Sequence, residues 1–110
     1  PGGTLGDIGE AIQTHAEKHG YSVVRDYCGH FIGCAMHENP LVQNTGRKGR
    51  GMRLEPGMIF CIEPMINAGT HQVLTRGWDA RTADGALSSR CSHMVLVTGK
   101  GHEVLTRFFD

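Results

Sequence analysis

Apolar and polar positions follow two rhythms along this chain, and the rhythm changes at Gly20. After Leu5, the residues Ile8, Ala11, Ile12, His15, Ala16 and His19 recur at three- and four-residue spacing, which lines one face of an α-helix. Thr4 stands just before this run and Asp7 three residues on, the arrangement of a capping box. The threonine oxygen accepts an unpaired amide of the first turn while the acidic side chain reaches back. Gly20 supplies the stop, because glycine readily takes the left-handed conformation that ends helices. The spacing therefore predicts an amphipathic helix over Leu5–His19. A helix that short is marginal in water and needs a surface to lie against.

Beyond Gly20 the period shortens toward two. Tyr21–Val24 reads as a short strand and Val73–Thr75 as another. Met58–Ile62 reads as a buried strand, with Met58, Phe60 and Ile62 on one side and Ile59, Cys61 and Glu63 on the other. Ser92–Thr98 and Glu103–Arg107 are expected to form a hairpin across Gly99, Lys100 and Gly101. Asp26–Pro40 is punctuated by glycine and carries polar side chains, so it is expected to be irregular and to build a site. Asn44–Gly51 is expected to be a flexible basic loop. A solvated loop explains it better than a phosphate cradle, since no strand-to-helix frame surrounds it. There is no internal repeat or linker.

Composition narrows the function classes. The 110 residues set one domain at most, and 11 basic side chains balance 11 acidic ones. No general attraction to nucleic acid, membrane surfaces or acidic partners follows, and a net charge of zero gives little protection against self-association. Four cysteines without a C-x-x-C pair, two of them in apolar runs, are read as reduced thiols and not as a zinc site. No apolar stretch approaches the ~20 residues of a membrane span. No signal peptide is visible, so the cytoplasm is the expected location. A chain opening on Pro1 is expected to lack its true beginning.

Seven histidines direct attention to metal chemistry. His30 lies in the glycine-flanked run Tyr27–Gly33, with His37 following. An imidazole among glycines can approach a metal or substrate closely, although an ordinary glycine-rich turn would use the same residues. Glu63 ends an apolar strand and precedes Pro64. A carboxylate half-buried there is costly unless paired or metal-bound; the plain alternative is a side chain turned to water. Ser92 is a weak ligand for a divalent metal, and His93 beside it is expected to pack or cap. No nucleophile elbow supports a serine triad, and Cys28 and His30 share a strand face without assured contact.

Taken in order, GDIGEAIQTHAEKHGYSVVRDYCGHFIG, MHENP, LEPGMIFCIEPMINAG, RGWDARTADGALS, SHMVLVT and EVLTR resemble the type I methionine aminopeptidases, members of the pita-bread metallopeptidases. The resemblance implies an α+β fold. Residues 1–110 would form one partial domain, the C-terminal half of a pita-bread fold, with a curved antiparallel sheet and one long amphipathic helix. It implies a pair of divalent metals (Co, Mn, Fe or Zn) held by two aspartates, a histidine and two glutamates. Here His30 matches the ligand histidine and Glu63 the first ligand glutamate. His37 matches a histidine that contacts the substrate, Trp78 a tryptophan at the site rim, and Cys28 a cysteine near the methionine pocket. Phe31 stands where the family usually has glycine, so its ring is expected to shield or obstruct the substrate site. Ser92 stands where the family has its second glutamate, which bridges both metals. Nothing here corresponds to the two aspartates.

The implied activity is removal of methionine from the N-terminus of a peptide or nascent protein. A metal-bound hydroxide would attack the carbonyl, with Glu63 as ligand and proton carrier and His37 stabilising developing charge. A serine at the bridge offers one neutral oxygen on a shorter arm. The chain is therefore expected to be inactive alone and to need a missing N-terminal half as partner. The alternative is a non-catalytic peptide- or protein-binding module of the same fold. Half of such a fold exposes an apolar face, so the isolated chain is expected to be marginal or self-associating.

Overall fold

A computed structural model describes residues 1–25, 27–32, 38–76 and 79–106. Helix α1 (Leu5–Lys18) begins where the pattern places it. Asp7 donates its backbone N–H to the Thr4 hydroxyl at 3.2 Å, and its carboxylate accepts the Thr4 N–H at 2.9 Å. His19 caps the other end and Gly20 follows at φ 83°.

Two more unpaired amides of the first turn find partners outside the helix. Leu5 N–H donates to the Met52 carbonyl at 2.9 Å and Gly6 N–H to the Arg50 carbonyl at 2.7 Å. The acidic side chains of the helix accept in return, Asp7 from Gly49 N–H at 2.6 Å and Glu10 from Lys48 N–H. The segment expected to be a flexible solvated loop is instead laid along the helix. Gly6 and Gly9 permit this, because a Cβ at either would strike the carbonyls of Arg47 or Thr45.

Among the described residues ten strands follow the helix. They are β1 (Ser22–Val23), β2 (Gly29–Phe31), β3 (Glu38–Val42), β4 (Ile59–Ile62), β5 (Met65–Asn67), β6 (Val73–Arg76), β7 (Asp79–Thr82), β8 (Ser88–Arg90), β9 (His93–Val97) and β10 (His102–Val104). Every strand pair is antiparallel, as the curved-sheet expectation requires, and the fold is α+β. The strands divide into a central sheet in the order β10-β9-β4-β2-β3, a flanking sheet β1-β5-β8 and the hairpin β6-β7. The β9–β10 hairpin forms as expected, but its second strand runs His102–Val104 and not Glu103–Arg107, of which Arg107 lies outside the described residues.

Asp26–Pro40, expected to be irregular, instead contributes β2 and the first part of β3. Pairing explains this. His30 lies opposite Cys61 on β4, and β3 is an edge strand, where Pro40 removes no ladder donor that the sheet needs.

Register separates the two faces of the central sheet. Phe60 lies opposite Val95 and Phe31, and Ile62 opposite His93, while Cys61 lies opposite His30 and Met94. Since side chains alternate, Phe31, Phe60, Ile62, Val95 and Val97 share one face, and His30, Cys61 and Met94 the other. The first face is the core. Val42, Phe60, Val95 and Val97 are buried there, with Leu5 and Ile8 of α1 packed on them. Burying a side chain such as Phe60 contributes roughly 1.5–3 kcal/mol. Beside the helix the same face forms a concavity of about 500 Å³, lined by Leu54, Phe60, Val95, Val97 and Val104 among others. Among the described residues no helix is long and apolar enough to cross a membrane.

Candidate functional site

The site begins with a glycine. β2 crosses β4 so closely at Gly29 that a Cβ there would strike the Cys61 carbonyl. That approach brings His30, 9% exposed, onto the face opposite the core. Glu63 follows the end of β4. Its backbone carbonyl accepts the side-chain amide of buried Asn44 at 3.2 Å, which fixes the strand end.

The two candidate ligands meet. His30 Nε2 lies 3.3 Å from Glu63 Oε2, and His30 Nδ1 lies 3.2 Å from the Phe31 carbonyl. The other carboxylate oxygen is occupied as well. Arg90 Nη2 donates to Glu63 Oε1 at 2.8 Å, and the Ser92 hydroxyl donates to the same oxygen at 3.3 Å. Strand pairing sets this up. Met65 lies opposite Arg90 in the β5–β8 ladder, and Cys91 N–H donates to the Pro64 carbonyl at 3.2 Å. The chain around Glu63 therefore runs beside the chain around Cys91, with Arg90 and Ser92 both reaching the carboxylate.

Two thiols register the charge of Glu63. Cys28 and Cys61 are both raised above the ordinary thiol value, first by burial and then by the negative carboxylate. Both are free thiols, as is exposed Cys91, in keeping with the reduced reading. Cys34 lies outside the described residues.

His30, Glu63 and Ser92 are thus in direct contact, and Cys28 lies near enough to feel the charge of Glu63. Phe31 is not among them. Its ring stacks on Phe60 at 5.2 Å and packs against the core. Alternation along β2 sends it to the opposite face from His30. His37 and Trp78 lie outside the described residues. His93 Nδ1 lies 3.1 Å from the Thr106 hydroxyl, a hydrogen bond and not the packing or capping expected of it. Arg90 and Asn44 were not singled out by their types. The signal for Arg90 was its place two residues before Ser92, a spacing that favours a shared side of an extended chain.

Among the described residues the donor set does not fit a pair of divalent metals. Among the described residues no three His, Cys, Asp or Glu side chains converge as a ligand group. Paired metals need bridging carboxylates to offset their repulsion. Here the bridging position is a serine, and Glu63 Oε1 already accepts from a cation and a hydroxyl. The 500 Å³ concavity opens on the core face; neither His30 nor Glu63 lines it, although Pro64 and Cys91, the chain neighbours of Glu63 and Ser92, do.

Comparison with known proteins agrees with the fold. The profile of metallopeptidase family M24 matches residues 1–99. Methionine aminopeptidase A of Synechocystis sp. is 53% identical over 108 residues, covering 96% of this chain and 43% of that protein. Methionine aminopeptidase of Rickettsia prowazekii is 50% identical over 109 residues, covering 96% and 42%. The crystal structure of the Rickettsia enzyme superposes with a TM-score of 0.93 over 97% of this chain and 44% of its own, at 49% identity. That of the Thermotoga maritima methionine aminopeptidase gives 0.94 over the same shares, at 41% identity. The chain therefore spans about two-fifths of the length of these relatives.

Proposed function

This chain belongs to metallopeptidase family M24, and from that membership we propose that it carries the His30–Glu63 side of a methionine-aminopeptidase-type site and does not release methionine by itself. The observation that supports this reading is the content of the site. Two of the expected ligands meet at 3.3 Å, and the third position holds a serine hydroxyl that donates to Glu63. A serine hydroxyl supplies neither the negative charge nor the second oxygen of a bridging carboxylate.

What these residues do without a metal is bind and orient. Glu63 presents a carboxylate held by three partners, His30 an imidazole fixed by the β2–β4 pairing, and Cys28 a largely protonated thiol beside them. In the proposed whole unit, His37 and Trp78 would meet the substrate peptide, and the other half of the fold would supply the aspartates. Its place of action would be the cytoplasm. The test is a methionine-release assay on a methionyl peptide with manganese or cobalt. No turnover is expected from the unaltered chain; sustained turnover without any partner would overturn the reading.

A second reading is a non-catalytic module that holds peptide N-termini. The Arg90–Glu63 pair favours it, because it leaves the carboxylate balanced without a metal. Metal-free calorimetry with a methionyl peptide distinguishes the two: saturable binding without turnover supports the module.

A further inference from the structure

The carboxylate of Glu63 has a counter-ion of its own. A carboxylate offers about four lone-pair positions, two on each oxygen. On Oε1 both are in use, one by the Arg90 guanidinium at 2.8 Å and one by the Ser92 hydroxyl at 3.3 Å. His30 Nε2 faces Oε2 at 3.3 Å. The Glu63 side chain is 16% exposed, while that of Arg90 is 56% exposed, so the cation reaches inward from the rim. Its backbone is not free to swing away, because Arg90 closes the β5–β8 ladder opposite Met65 and Cys91 N–H is fastened to Pro64.

We propose that Arg90 is a resident cation that takes the place of a metal ion at Glu63, locking this half-site against divalent metals even when a bridging carboxylate is restored. This inference rests on the reading that the unaltered chain is not a peptidase. It adds that the serine is only part of the reason. A guanidinium donates along directions that suit carboxylate oxygens, and it stays charged at every working pH. It satisfies Glu63 with one fixed charge and without the further ligands that a metal would demand. A glutamate introduced at position 92 would arrive beside the same guanidinium and pair with it.

The test separates position 90 from position 92. The full chain, Ser92→Glu, Ser92→Glu with Arg90→Gln, and Ser92→Glu with Arg90→Lys are each titrated with manganese alone and with cobalt alone by calorimetry. Circular dichroism checks the fold of each. Ser92→Glu with Arg90→Met serves if the glutamine variant does not fold. The expected result is that Ser92→Glu gains little, the lysine variant stays close to it, and the uncharged variants bind at least about tenfold more tightly, the scale of effects of groups around a metal site. Equal affinity of Ser92→Glu with and without Arg90 would overturn the proposal. So would binding by none of the variants, which would place the obstacle elsewhere. Tight metal binding by the unaltered chain would also overturn it. Methionine release is read separately on the unaltered chain; turnover there defeats the non-peptidase reading, whatever the titrations give.

Discussion

On one side of β4, Phe60 and Ile62 meet Val95, Val97 and the first turns of α1, and no ionic group is needed to hold them. On the other side, one residue along, Cys61 lies opposite His30, and Glu63 beyond it gathers an imidazole, a guanidinium and a hydroxyl. The first side is stabilised by area removed from water, which depends on volume and hardly on direction. The second is a set of directed contacts around one carboxylate, whose mutual attraction largely offsets the cost of partial desolvation. The difference teaches that this chain keeps its fold and its chemistry in separable layers. A loss at the carboxylate need not cost the sheet.

Substitutions on the two sides should break or sharpen that contrast. The largest effect is expected from Phe60→Ala, which opens a cavity under α1. It should lower unfolding free energy by about 3–5 kcal/mol in urea titrations; a cost below about 1 kcal/mol would mean the apolar side does not carry the fold. Next comes Gly29→Ala, which forces β2 from the Cys61 carbonyl. It should cost roughly 1–3 kcal/mol and should also disturb the His30 ring signals in NMR spectra, since this residue belongs to both layers.

Thr4→Ala removes a cap and should cost about 1 kcal/mol by the same titration. Asp7 beside it is held below the usual carboxylate range, first by the Gly49 N–H and then by the Thr4 N–H. A depressed folded value means that its contribution is present above the ordinary carboxylate range and is lost as pH falls through the lower folded value. Thermal unfolding followed on the acid limb should therefore be flatter in Asp7→Asn, while a matching slope would remove Asp7 from the account. The smallest stability change is expected from Glu63→Gln, within about 1 kcal/mol, because Arg90 is more than half exposed and water screens the pair. Its signature lies elsewhere. With the negative charge gone, Cys28 should be alkylated faster at neutral pH, and an unchanged rate would show that the carboxylate does not reach the thiol.

The sequence made the first layer legible and the second only partly so. Helix α1 and the alternation of Met58–Ile62 could be read because burial imposes a period, and the structure keeps both. β2 and β3 could not, because Gly29 and Pro40 suggest irregular chain until partner strands are known. His30 and Glu63 stood out by type and by their place in long motifs. Arg90 did not: an arginine at a strand end is ordinary until the fold turns it toward Glu63. The core contact of Phe31 was hidden for a related reason, since adjacency to His30 in sequence means opposite faces in a strand.

The segment fastened along α1 also changes what a protease would report. Arg47, Lys48, Arg50 and Arg53 fall within seven residues, a stretch that trypsin would cut at once in an extended chain. Here its carbonyls and amides are bound to Leu5, Gly6, Asp7 and Glu10, so the peptide bonds are presented only when the helix lifts off. Nicking there would time the undocking of α1 from the sheet, making an apparently soft basic loop a built-in gauge of whether the apolar layer is closed.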